Sequence, residues 1–148
     1  MLTQSYRELL DSDPEHWQPQ AVSWAEFDKA VFAEPDTVGA CVFVTCLGDE
    51  PIGFGSFEPK DAVSGWVGHN CILPAHGGRG FGKLQLAEIV RRMHGRGISE
   101  ISVTTCGHPF FEPALRMYRS SGFVEIGRRH GGPDPNHLLI DLCLSPRG

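Results

Sequence analysis

The stretch Cys71-Ile-Leu-Pro-Ala-His-Gly-Gly-Arg-Gly-Phe-Gly-Lys-Leu84 constrains the fold more than any other. An apolar run meets a proline, then four glycines within six positions, then a helix-like pattern. Glycine accepts the positive φ angles that turn successive backbone N–H groups toward one point. A helix starting there adds the positive end of its dipole. The physical reading is a cradle for phosphate, set between a strand and a helix.

The rest of the chain supplies the sheet. Gly39–Leu47 and Ile52–Phe57 are apolar runs around the turn Gly48-Asp-Glu-Pro51, which predicts an antiparallel hairpin. Gly53 and Gly55 inside the second run predict close approach by a neighbour. Trp66–Leu73 is a third strand. After the glycine loop, Leu84, Leu86, Ala87, Ile89, Val90 and Met93 predict an amphipathic helix over 81–94, stopped by Gly95 and Gly97. Ile98–Cys106 is β-branched and extended. Strand, helix and strand with short links predict a right-handed crossover and a parallel pair. A helix over 112–120 with Ala114, Leu115, Met117 and Tyr118 inward, capped by Gly122, leads to strands at Phe123–Gly127 and His137–Leu144.

The N-terminal region reads less clearly. Tyr6–Leu10 suggests a short helix, Asp11–Pro14 a turn, and Pro19 a break. Ser23 followed by Glu26 has the capping-box spacing, which places a helix over 24–33 with Trp24, Phe27, Ala30 and Val31 on one face.

A length of 148 residues without repeat or linker predicts a single domain over 1–148. The net charge of −5 argues against nucleic acid as a partner, since a polyphosphate backbone needs a basic face. There is neither a leader-like N-terminus nor an apolar run long enough to span a bilayer, so no membrane partner and a cytoplasmic setting are expected. Five cysteines, at 41, 46, 71, 106 and 143, form no disulfide pattern and read as reduced thiols, four of them in apolar runs.

A glycine loop alone fits several phosphate ligands. A nucleoside-triphosphate loop needs Gly-Lys-Ser/Thr, and Lys83 is followed by Leu84. A dinucleotide fingerprint needs an acidic residue at the end of the next strand, and Glu100 sits at its start. A second motif narrows the choice. Ala114-Leu-Arg-Met-Tyr118-Arg-Ser-Ser-Gly122-Phe123 matches Ala-x-x-x-Tyr-x-x-x-Gly-Phe, a helix leading into a strand. With Gly80 and Gly82 in the loop and this order of elements, the chain resembles the GNAT superfamily of acyl-CoA-dependent N-acetyltransferases from about residue 39 to 144. It departs in two places. Gly77 stands where the family has Gln or Arg, and Phe111 where it often has Asn.

The resemblance implies an α/β fold of α+β type. A mixed, mostly antiparallel twisted sheet has a central parallel pair splayed around an acyl-CoA slot, with helices flanking it. It implies acetyl-CoA as co-substrate and a small-molecule amine or peptide amine as acceptor, and it allows a homodimer. Cys71, Ile72 and Leu73 would pair with the pantetheine amides. Gly77, Gly78, Arg79, Gly80, Phe81, Gly82 and Lys83 would hold the pyrophosphate. Tyr118 takes the general-acid position, giving a proton to the leaving thiolate. An alkylamine has a pKa of about 10, so it must lose a proton before attack. Glu58 and His69 are the two candidate bases. A module that binds CoA without turnover is the alternative. His69-x-Cys71 and Cys106-x-His108 would form a metal site if the two strands met; the expectation is that no metal is held.

Overall fold

A computed structural model describes residues 1–145. Three helices open the chain: α1 (Leu2–Ser5), α2 (Arg7–Ser12) and α3 (Pro14–Ala33). The predicted start of α3 was ten residues too late. Asp13 precedes the helix and Pro14 fills its first turn, where the missing N–H is no loss. Ser23 therefore lies exposed in mid-helix rather than at a cap. Pro19 sits inside the helix on its exposed side. The helix carries on because Trp17, Trp24, Phe27 and Val31 recur on one face and pack inward.

A 3₁₀ turn at Gly39–Cys41 replaces the expected strand start. A Cβ on Gly39 would lie 2.6 Å from Val31 O, so only glycine lets the chain pass α3 there. Strands β1 (Val42–Leu47), β2 (Glu50–Pro59) and β3 (Ser64–Ile72) then form an antiparallel meander. Helix α4 (Phe81–Gly95) crosses to β4 (Glu100–Cys106), and α5 (Glu112–Ser120) follows. The hairpin of β5 (Phe123–Arg129) and β6 (Leu139–Leu144) completes a six-stranded sheet of order β1-β2-β3-β4-β6-β5. Among the described residues only β3 and β4 run parallel, as the crossover rule required. Gly122 ends α5 at φ +93°. Gly55 shows the expected close approach: a Cβ there would lie 2.7 Å from the Phe43 ring.

The core lies between the sheet and α4 and α5. Leu86, Ile89 and Met93 of α4 and Leu115 and Tyr118 of α5 pack on Val67, Ile101, Val103, Ile140 and Leu142. The inward face of α4 is rotated from the predicted one. Leu84 is 68% exposed, while Gln85 is 2% exposed. Gln85 fits because every polar atom of its amide is used. Nε2 donates to Phe54 O (2.8 Å), Asn70 Oδ1 (2.8 Å) and Cys71 O (3.1 Å), and Oε1 accepts from Thr45 Oγ1 (2.6 Å). One side chain thus ties α4 to three strands. All five cysteines are free thiols; Cys41, Cys71 and Cys106 are buried, whereas Cys46 is exposed. No helix among the described residues is long and apolar enough to cross a membrane.

Candidate active site

The site begins where β3 and β4 part. They pair only at Ser64–Glu100, Gly65–Ile101 and Trp66–Ser102. Beyond that, β3 stays with β2 as far as Ile72, and β4 stays with β6 as far as Cys106. Residues 67–72 and 103–106 therefore face each other across a slot. Main-chain groups on a strand alternate sides. Leu73 N–H points to β2, donating to Ile52 O (2.8 Å). Ile72 points the other way, and its carbonyl accepts from Ser5 Oγ (3.3 Å). Cys71 O accepts from Gln85. Of the three strand residues predicted to meet a pantetheine arm, Ile72 is the one facing the slot.

The slot runs up into the glycine loop. Gly78 (φ +70°) and Gly80 (φ +84°) are left-handed, and an added Cβ at either would meet nothing within 4 Å. Their concave side is open. Gly80 caps α4, so the N–H groups of Phe81, Gly82 and Lys83 lack intrahelical partners. Asn70 of β3 fixes this helix end by donating from Nδ2 to Gly82 O (3.1 Å). Arg79 lies over the Phe81 ring at 5.0 Å, and Arg79 and Lys83 are exposed at the rim. Gly77 is exposed as well.

Tyr118 of α5 is buried in the core, edge-on to Phe123 at 5.7 Å. Burial, and secondarily the phenol of Tyr6, push its pKa above the ordinary tyrosine range, so it stays protonated. Tyr6 comes from the junction of α1 and α2. Its ring stacks on Trp24 (5.0 Å) and touches Phe110 (5.7 Å) and Phe111 (5.9 Å). Burial pushes its phenol up to about 12. Ser5 adds a contact at 3.1 Å to Cys71 Sγ. Burial raises the Cys71 thiol too.

The two candidate bases line one pocket of about 650 Å³ on the α3 side of the sheet. His69 sits among aromatic rings, 4.8 Å from Phe27 and 5.7 Å from Phe54. Burial lowers its pKa below the ordinary histidine value, so the ring is neutral at pH 7. Its backbone N–H donates to Ser56 Oγ (2.7 Å), next to a register shift in β2. Glu58 is exposed at the rim.

A sequence model of the Acetyltransferase (GNAT) family matches residues 3–123. The chain belongs to this family. It is 32% identical over 98 residues to the uncharacterized N-acetyltransferase YsnE of Bacillus subtilis (strain 168), covering 66% of this chain. The chain spans 65% of the length of that relative. Among solved structures it resembles a GNAT-family protein from Desulfovibrio desulfuricans, with TM-score 0.68 and 19% identity over 81% of this chain and 77% of that one. A GNAT family acetyltransferase from Elizabethkingia anophelis with acetyl-CoA bound gives 0.63 and 16% identity, over 70% and 74% of the two chains. At those identities the likeness is one of fold. The GNAT architecture expected from the sequence is the one observed.

One of the two departures from the GNAT pattern now has surroundings. Phe111 joins Tyr6, Trp17 and Phe110 in an aromatic cluster that anchors the N-terminal helices over the slot. Trp17 did not stand out in the sequence, because it lies between Pro14 and Pro19, which read as breaks. His108 is not joined by His69, Cys71 or Cys106 in a metal-type grouping. It lies instead with Asp134 and His137, their ligand-type atoms within 4.8 Å of one another. His108 Nδ1 accepts from Phe110 N–H (3.0 Å), and His137 Nδ1 lies 2.8 Å from Asp134 Oδ2. In neutral His108 the proton is then on Nε2. Each of these bonds is local, one to the β4–α5 turn and one to the β5–β6 loop, and the His108 and His137 rings meet edge-on across the two segments at 4.8 Å. The pairing of Gly107 N–H with Leu138 O brings the two segments together.

Proposed function

We propose that this GNAT protein is an acetyl-CoA-dependent N-acetyltransferase that moves an acetyl group to a primary amine by direct attack on the thioester. The observation that carries the reading is the loss of β3–β4 pairing beyond Trp66 and Ser102, opening a slot that leads into the glycine loop. The loop fits a pyrophosphate. The two left-handed glycines leave its concave side without side chains, and the α4 N-terminus directs N–H groups and dipole there. Arg79 and Lys83 supply mobile charge in place of the side chain missing at Gly77. Along β3, Ile72 would offer its main chain to an amide of the pantetheine arm, exchanging the Ser5 hydroxyl for it.

The acid and base tasks divide between two faces of the site. Tyr118 holds a proton throughout the working pH range and would donate it in a hydrogen bond to the departing thiolate, while the proton lost by the attacking amine balances the one the thiol finally gains. His69, neutral and enclosed by Phe27 and Phe54, is the better placed base. Glu58 at the rim would favour the approach of a cationic amine.

The test is release of free thiol from acetyl-CoA across a panel of primary amines, for wild type and Tyr118→Phe. Tyr118→Phe should lower kcat at least tenfold and leave the affinity for CoA unchanged, since general-acid groups contribute about 10²–10⁴-fold. Unchanged turnover would remove Tyr118 from the mechanism. The departures from the family pattern at Gly77 and Phe111 favour a second reading, a CoA-binding module without turnover. CoA binding with no thiol release on any amine would establish it.

A further inference from the structure

The pocket of Glu58 and His69 has a wall that proton transfer does not use. Arg96 directly follows α4 and lines that pocket with Asp36 and Glu58. Its Nη2 donates to Ala40 O (2.9 Å) and its Nη1 to Cys41 Sγ (3.4 Å). The guanidinium also lies 5.1 Å from the centre of the Phe57 ring. The 3₁₀ turn before β1 and the end of β2 thus fix the plane of an otherwise flexible side chain. None of these contacts neutralises its charge. Arg91, Arg92, Arg119, Arg128 and Arg129 each hold a carboxylate, and Arg96 makes no ion pair among the described residues. Most of its N–H donors remain uncommitted. An oriented, unpaired guanidinium in a pocket wall is a receptor for a planar anion, which it can grip through two parallel bonds.

The same pocket carries the opposite sign elsewhere. Asp36 and Glu58 offer carboxylates, and the neutral His69 ring stands by the slot-lining Gly68. Such a pocket is complementary to a molecule bearing an ammonium and a carboxylate together. A polycationic amine would set a second positive charge against Arg96. The volume, about 650 Å³, lies in the range of small-molecule sites. Resting on the N-acetyltransferase reading, we infer that the acceptor is a small amino carboxylate, an amino acid or close analogue, with Arg96 binding its carboxylate and its amine held toward His69.

The experiment compares neutral L-amino acids with their carboxamides, using wild type, Arg96→Gln and Arg96→Lys in full-length protein. Thiol release from acetyl-CoA gives kcat/KM, and melting temperatures check that each variant is folded. In wild type the acid should exceed its carboxamide at least tenfold in kcat/KM. Arg96→Gln should bring that ratio near one, and Arg96→Lys should give an intermediate value. A wild-type ratio near or below one, or a ratio that survives Arg96→Gln, overturns the inference. Thermal shift with CoA present supplies a second readout that does not need turnover. Turnover without a preference for the carboxylate refutes the inference and leaves the N-acetyltransferase intact. A carboxylate preference in binding without turnover does the reverse. Neither binding nor turnover for any of these amines overturns the inference, while turnover of another primary amine would still sustain the N-acetyltransferase reading.

Discussion

Replacing Gln85 by leucine removes a polar hub while keeping roughly its shape. The amide has two hydrogens for three acceptors, so one bond is shared, and its oxygen accepts from Thr45 Oγ1. Three effective bonds at about 0.5–1.5 kcal/mol each set the loss at about 1.5–4.5 kcal/mol. Leucine recovers about 1 kcal/mol through added apolar burial. The expected net destabilisation is about 0.5–3.5 kcal/mol, with a central value of about 2 kcal/mol. Urea unfolding followed by circular dichroism reads it directly. At that central value and a slope of about 2 kcal/mol/M, the midpoint should fall by about 1 M with the slope unchanged. Asn70 shares a bond with Gln85. Asn70→Ala combined with Gln85→Leu should therefore destabilise by less than the sum of the single changes. A midpoint within about 0.2 M of wild type would refute the claim that this amide fastens α4 to the meander. Strict additivity would refute the shared bond.

Other consequences can be measured separately. Gly80→Ala has room for its Cβ, so the penalty is conformational, about 1–2 kcal/mol for a left-handed residue. CoA affinity, by calorimetry, should weaken about 5–30-fold, and equal affinity would show that the left-handed turn is not used. His69→Gln should lower kcat/KM about 100-fold and abolish an acidic limb lying below the ordinary histidine range, the direction in which burial moves this ring. Glu58→Gln should change kcat/KM less than fivefold, and the reverse pattern would make Glu58 the base. Asp141 is held by Arg129 (2.7 Å) and Thr104 (2.6 Å), chiefly the arginine placing its pKa below the ordinary aspartate value. A carboxyl depressed in the fold stabilises it above the unfolded value of about 4, and the contribution fades as pH falls through the folded one. Asp141→Asn should therefore unfold at lower urea than wild type at pH 7, with the gap closing as pH falls below about 4. A gap independent of pH would rule out charge as the cause.

What the sequence disclosed depended on how local the signal was. The parallel pair followed from a strand, a glycine loop and a helix in immediate succession. Helix α5 was bounded by its own Gly122, and its inward residues were placed correctly. The face of α4 was misjudged because hydrophobicity selected Leu84, whereas the folded chain satisfies Gln85 with groups 14 to 40 residues away. No window along the chain contains those partners. Helix α3 was truncated for a related reason: Ser23 and Glu26 satisfy a local capping rule, but packing of Trp17 with Phe111 extends the helix past it. In the site, glycine-loop geometry was legible because φ preferences belong to single residues. The convergence of His69, Glu58 and Arg96 on one pocket was not, since it depends on three elements meeting.

The short contact between β3 and β4 makes the sheet two leaves bound along a narrow spine at Ser64–Trp66 and Glu100–Ser102. One leaf, β1 to β3, is backed by α4; the other carries α5 against β5. Apart from that spine, the facing margins have no ladder between them. A ligand lying in the gap would act as stitching, giving both margins hydrogen-bond partners at once. Its stabilising effect would then be registered as slower amide exchange along 67–72 and 103–106 together, on opposite leaves, and least at the spine, where the leaves are already joined.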